Sequence, residues 1–301
     1  MTSSARAPIR RLEIERPEGW RSYLMATPSG AAAGKRALVI ILHGGGASAS
    51  QVLGQGFPPS PLSVWLEIAE REQLIVVAPD GGKGMACWND GLTGIGRNPR
   101  TDDVGYIGAL IDKAILEDDA DARRVYVVGV SKGGLMSFRL ASEIAPRLAA
   151  FAAVLASMPV KSDYAAPSVA LPALIVASTR DPFFPYQGGK FRYMFSLLAP
   201  VRSVDESIAT WRQLAGLPDT PAVTALPRHD RHERTRATRY TWGADAAQTQ
   251  VVLLKIDHGG HSEPSRKERY PRLLTWLAGA QDGDLEVAEE AWAFFKDKRI
   301  G

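Results

Sequence analysis

Val125-Tyr126-Val127-Val128-Gly129-Val130-Ser131-Lys132-Gly133-Gly134 opens as an apolar, β-branched run and ends on a serine set between glycines. The run predicts a strand over 125–130, and helical periodicity follows over 133–144. A Gly-x-Ser-x-Gly turn between strand and helix lifts the serine hydroxyl off the end of a sheet, open to reaction. Glycine at 129 and 133 removes Cβ atoms that would collide in so tight a turn. The helix N-terminus adds unpaired N–H groups aimed at developing negative charge. The five-residue pattern alone is common in glycine-rich chains. Its place between a strand and a helix makes it specific.

Five further apolar runs lie at 37–42, 74–78, 151–156, 173–177 and 251–256. Near-continuous rather than alternating apolar character marks strands buried on both faces of a parallel sheet. Helical spacing falls between them, at 62–72, 102–117 and 203–214, and again at 285–296, where Ala288, Trp292 and Phe295 share one face. Strand alternating with helix predicts an α/β fold with a mostly parallel central sheet and helices on both faces. Residues 12–15 and 22–26 read as an antiparallel pair at its edge. No repeat and no linker divides the chain, so 1–301 reads as a single domain. Residues 183–200 are dense in aromatics (Phe183, Phe184, Tyr186, Phe191, Tyr193, Phe195) and read either as a cap over a pocket or as core under a long loop. Residues 218–250 are polar and basic at first, then strand-like near 240–242.

A serine hydroxyl needs a base. Five histidines are available: His43, His229, His232, His258 and His261. In sheets carrying this elbow the partners follow in the order serine, acid, histidine. Both His258 and His261 fit, each just past the run 251–256, and the glycines before His261 favour it by giving a catalytic loop a flexible approach. A loop cap or a metal ligand is the competing reading of His258-x-x-His261, but no further ligand cluster accompanies the pair. Asp181, in Ser178-Thr179-Arg180-Asp181-Pro182, follows the run 173–177 and is the candidate acid, with Asp205 in reserve. A turn aspartate before proline is its bland alternative. His43-Gly44-Gly45-Gly46 follows the run 37–42 and is the candidate oxyanion loop: the N–H groups of Gly45 and Lys132 would hold the oxyanion, with Gly46 a near substitute and His43 shaping the loop. Trp88, Phe183 and Tyr186 are candidate substrate contacts, although packing is the commoner fate of a tryptophan.

With 36 basic and 33 acidic residues the formal net charge is +3, too balanced to argue for nucleic acid. Cys87 is the sole cysteine, so no intrachain disulfide forms. Residues 1–20 contain no apolar stretch of the secretory kind, and the longest nearly apolar run, 148–160, is shorter than the roughly 20 residues a bilayer requires. These features predict a cytoplasmic chain without a membrane span. Gly91-Leu92-Thr93-Gly94-Ile95-Gly96 lacks a dinucleotide-loop context, no phosphate loop is present, and His229-Asp230-Arg231-His232-Glu233 reverses the zinc-protease order and reads as solvated surface.

Taken together, the motifs resemble the polyhydroxybutyrate depolymerase-like branch of the α/β-hydrolases, which includes feruloyl esterases. The matching pieces are 42–46, 77–81, Cys87-Trp88-Asn89-Asp90-Gly91, Asp102-Asp103-Val104-Gly105-Tyr106-Ile107, 129–134, Asp181-Pro182-Phe183-Phe184-Pro185-Tyr186, Gly259-Gly260-His261 and the closing helix 288–295. The resemblance implies an α/β-hydrolase fold and hydrolysis of carboxylic esters through an acyl-enzyme, without cofactor or metal. It supports Ser131, Asp181 and His261 as the triad. The chain departs from the group after its histidine, where His-Ser-Glu-Pro (261–264) replaces a His-Thr-Trp-Pro pattern. It also lacks the disulfides and polymer-binding module of many secreted members. Soluble esters or oligomers are therefore the expected substrates. Peptide or amide hydrolysis, acyl transfer to another acceptor, and a non-catalytic binding scaffold are the rival readings.

Overall fold

A computed structural model describes residues 5–30, 34–82, 87–93, 99–193, 196–229 and 233–301, with the side chains of 191–198 outside that description. The hairpin β1 (Ile9–Arg16) and β2 (Gly19–Ala26) leads into β3 (Arg36–Leu42), β4 (Ile75–Pro79), β5 (Ala120–Val130), β6 (Ala150–Val154) and β7 (Ala173–Ser178). A small two-stranded unit, β8 (Gly189–Tyr193) with β9 (Ser196–Val201), precedes β10 (Ala222–Ala225), β11 (Arg236–Trp242) and β12 (Val251–Asp257). Ten of these strands form one sheet in the order β1-β2-β4-β3-β5-β6-β7-β12-β11-β10. From β4 to β12 every pair is parallel, and antiparallel pairs extend the sheet at either edge.

The apolar runs are continuous because both faces are covered. In β3, Leu38, Ile40 and Leu42 enter one core, while Ala37, Val39 and Ile41 enter the other. On the first face pack α3 (Asp103–Glu117), α4 (Lys132–Glu143) and α5 (Val204–Leu214), through Tyr106, Leu110, Phe138, Ile208 and Trp211. On the second lie α2 (Trp65–Glu72) and α7 (Val287–Phe295), preceded in the chain by the single turn α1 (Ala49–Val52). The α7 face is the one its spacing predicts: Trp292 and Phe295 meet Trp65 and Tyr126, and the Tyr126 and Phe295 rings stack at 4.9 Å.

The structure differs from the sequence reading at several elements. β5 begins five residues early, at Ala120, because Arg36 pairs with Ala120 although Asp121, Arg123 and Arg124 are charged. The helix expected from 62 starts instead as a 3-10 turn, Pro61–Val64, capped by Ser60. β10 has a wholly exposed side-chain pattern and α6 (Arg272–Ala278) buries none of its residues, although both are apolar in composition, with Val223, Leu273, Trp276 and Leu277 exposed. The aromatic stretch contains the β8–β9 hairpin, with Phe191, Tyr193 and Phe195 outside the described side chains. Among the described residues no helix is long and apolar enough to cross a membrane.

Candidate active site

Ser131 sits at the carboxyl end of β5 with φ 55° and ψ −116°, a strained conformation for a residue with a Cβ. Its N–H donates to the Val154 carbonyl at 2.8 Å, which ties the elbow to β6, and its carbonyl accepts the Leu135 N–H at 3.1 Å, opening α4. The flanking glycines are steric requirements. A Cβ on Gly129 would lie 2.1 Å from the Gly133 oxygen, one on Gly133 2.3 Å from the Leu42 oxygen, and one on Gly134 2.6 Å from Ala156 Cβ. The crossing of β3, β5 and α4 leaves no room for larger residues.

The parallel pairing of β7 with β12 explains how residues 80 positions apart come together. Ser178 is paired with Ile256, so the loops leaving both strands start side by side. His261 Nδ1 and Asp181 Oδ2 are 2.7 Å apart. The other Asp181 oxygen accepts the N–H groups of Phe183 and Phe184, both at 2.8 Å. Asp181 is thus a turn aspartate and the histidine's partner at once, one oxygen for each task. Asp205, the reserve acid, instead accepts the Tyr186 hydroxyl at 3.3 Å, and His258 is exposed.

The glycines before His261 serve close packing rather than flexibility. A Cβ on Gly260 would sit 2.3 Å from Gly279 Cα, and one on Gly259 2.6 Å from Ile256 Cγ2. His261 N–H donates to Ala278 at 2.6 Å, and Gly260 N–H to Ala280 at 2.8 Å, pinning the loop against the segment after α6. Phe184 stacks on the imidazole at 5.7 Å and Phe183 meets it edge-on at 5.0 Å. Burial alone would lower the His261 pKa, but the Asp181 carboxylate, its hydrogen bond and the charge of Glu263 outweigh it and raise the value.

The loop after β3 is held from behind. His43 Nδ1–H donates to the Gly44 carbonyl at 2.8 Å, and Nε2 accepts the Gly81 N–H at 3.0 Å, which assigns the tautomer. Burial lowers the pKa of this ring. The Trp88 indole N–H donates to the His43 carbonyl at 2.8 Å, its ring 4.9 Å from the imidazole. Trp88 is fully buried, so the expectation that it contacts substrate is corrected: it supports the loop from beneath. Lys132, first residue of α4, turns its side chain into a buried ion pair with Asp90, leaving its N–H at the helix start.

Gly44, Gly45, Gly46, Ser131 and His261 line one cavity of about 210 Å3, with Gln51, Val52, Ser60, Glu263 and Tyr270 among its other walls. No hydrogen bond joins the Ser131 hydroxyl to His261 in this structure; the two share the cavity. Phe183 reaches the site through His261, whereas Tyr186 lines a separate cavity with Asp181, Gln187 and Lys255. Ser60, Glu263 and Tyr270 escape the sequence reading. Only the Glu263 departure two residues past His261 hinted at them. Asp230, Arg231 and His232 lie outside the described residues, as do Gly94, Ile95 and Gly96. Among the described residues no group of three or more His, Cys, Asp or Glu side chains could hold a metal ion.

No family model matches the chain. The bifunctional acetylxylan esterase/xylanase XynS20E of Neocallimastix patriciarum is 28% identical over 201 residues, 67% of this chain, which spans about a quarter (26%) of that protein's length. NocK of Nocardia uniformis subsp. tsuyamanensis, assigned by name to the esterases, is 25% identical over 296 residues, 91% of this chain and 78% of its own. Among solved structures, the acetyl xylan esterase of Aspergillus awamori superimposes with a TM-score of 0.57 over 83% of this chain and 94% of its own, at 15% identity. A sheet of this topology, with a strained serine after β5 and a histidine after β12, has the α/β-hydrolase fold.

Proposed function

We propose that the chain is a serine hydrolase that cleaves carboxylic esters through an acyl-enzyme, with Ser131 as nucleophile, His261 as base and Asp181 as orienting acid. The observation that carries this reading is the Asp181–His261 pair, 2.7 Å apart, whose histidine lines the cavity that holds the strained serine. Asp181 holds the Nδ1–H tautomer, so Nε2 is the basic nitrogen. As the substrate carbonyl enters, His261 takes the Ser131 proton and the hydroxyl oxygen attacks the carbonyl carbon. The Gly45 and Lys132 N–H groups receive the oxyanion, a contribution of roughly 2.7–4 kcal/mol per donor. The imidazolium returns the proton to the departing alcohol, and water, activated by the same histidine, releases the acid.

A cavity of about 210 Å3 suits a short acyl group or a small alcohol better than a long aliphatic chain. The names of the two sequence relatives are consistent with ester chemistry, and soluble short-chain esters or oligomers are the proposed substrates. Treatment with a fluorophosphonate, intact-mass spectrometry and peptide mapping test the assignment. A single adduct on Ser131, with hydrolysis of an ester panel graded by acyl length, is expected. No adduct on folded protein would overturn it. Matched ester and anilide substrates separate ester from amide cleavage, and added alcohols reveal acyl transfer.

A further inference from the structure

Among the described residues in the wall of the Ser131 cavity, Glu263 is the one acidic side chain, and it is held in place from three sides. Ser60 donates to Oε1 at 3.1 Å, and the Tyr270 hydroxyl donates to Oε2 at 2.8 Å. The donors are themselves fixed. Ser60 Oγ accepts the Leu62 N–H at 3.1 Å, and Gln281 clamps both chain segments, its Nε2 to the Glu263 carbonyl and its Oε1 to the Tyr270 N–H, each at 2.8 Å. Each carboxyl oxygen thus has one hydroxyl partner. No lysine or arginine among the described residues lies within ion-pair distance of it.

A carboxylate offers about four acceptor sites, and two are filled here. An enclosed anion without a cation is costly, and its field also opposes the oxyanion that forms on the same cavity wall. A substrate group that donates a hydrogen bond or carries positive charge removes both costs. A substrate carboxylate adds to them. Glu263 stands two residues past His261, so the cavity wall beside the base is acidic.

We propose that Glu263, positioned by Ser60 and Tyr270, determines specificity by selecting esters whose cavity-bound end carries a hydrogen-bond donor, a hydroxyl or an ammonium group, and by rejecting anionic ones. The inference rests on the esterase reading only for which cavity the substrate enters.

Four nearly isosteric methyl esters test it: butyrate, 3-hydroxypropionate, β-alaninate and the half-ester of malonate, ending in methyl, hydroxyl, ammonium and carboxylate. Their hydrolysis by the unmodified protein is compared with their binding to Ser131→Ala, followed by ligand-detected NMR. The expected order is ammonium, hydroxyl, methyl, carboxylate, with about tenfold between the charged ends and methyl. Glu263→Gln should bring ammonium and carboxylate to within about threefold of methyl, whereas a merely structural role would weaken all four alike. Tyr270→Phe, which frees one acceptor site and leaves the carboxylate, should steepen the order, and it decides the matter if Glu263→Gln does not fold. No order in the unmodified protein, or an order that survives Glu263→Gln or flattens in Tyr270→Phe, overturns the proposal. Ordered binding to Ser131→Ala without turnover by the unmodified protein would sink the esterase reading and leave this one standing.

Discussion

The floor of the cavity and its rim are built by different physics. The floor, from the loop after β3 to the elbow after β5, is set by backbone against backbone: 2.1 Å and 2.3 Å are all that separate hypothetical Cβ atoms of Gly129 and Gly133 from carbonyl oxygens. The rim, from His261 to Gln281, adds to its backbone contacts side-chain hydrogen bonds between distant residues, such as Ser60 with Glu263, 203 positions away. A backbone-packed floor tolerates no added side chain at its crossing glycines but specifies only that chemistry happens. A side-chain rim can be changed one residue at a time, and it decides on what.

The sharpest way to break this division is at the floor. Ser131→Ala should lower kcat on the order of 10^5- to 10^6-fold while the melting temperature holds or rises, because alanine keeps the turn's size and loses only the nucleophile. Retained turnover would end the assignment. Gly133→Ala should be worse for the fold, since the Leu42 oxygen cannot move without disturbing β3. We expect a loss of at least ~3 kcal/mol in denaturant unfolding, and a soluble variant of unchanged stability would show the elbow to be looser than described.

Asp181→Asn stands between floor and rim. It should cost on the order of 10^4-fold in kcat, since an amide can present its N–H group and stabilise the wrong imidazole tautomer. The folded His261 pKa is raised above its ordinary value, so the protonated ring is favoured in the folded chain. That stabilisation is fully present below the ordinary histidine range and is lost as pH rises through the raised folded value. Catalysis needs the neutral ring, so the acid limb of kcat/KM should lie above pH ~6.5 and move down in Asp181→Asn. A limb that stays put would mean another group governs it.

The two regions also differ in how far the sequence exposes them. Continuous apolar runs announced β3, β5 and β12 because each is buried on both faces, and the elbow glycines were legible because sterics leave no alternative. Trp88 was misread as a substrate contact, since nothing local distinguishes an indole behind a loop from one in front of it. Glycines 259 and 260 were read as flexible and prove to be crossing points with Ile256 and Gly279. The partnership of Ser60 with Glu263 was hidden for a further reason: a hydrogen bond across 203 residues leaves no periodicity. α6 is apolar in sequence yet buries none of its residues, so apolar content does not report its place.

The smallest expected effect probes the floor's underside. Cys87 is fully buried, and its Sγ lies 3.5 Å from the Gly44 carbonyl as a weak donor to the candidate oxyanion loop. Burial foremost pushes the thiol pKa up to about 12, Asp90 pushing the same way and Lys132 opposing. At pH 8 the thiol should therefore resist an aromatic disulfide reagent in the folded protein and react on unfolding. Cys87→Ala should reduce kcat only a few-fold, with stability lowered by about 1 kcal/mol, because the Trp88 and His43 hydrogen bonds still hold the loop. Rapid modification of the folded chain would mean the layer beneath the loop opens readily. The floor would then share the rim's adjustability, and the contrast between the two would fail.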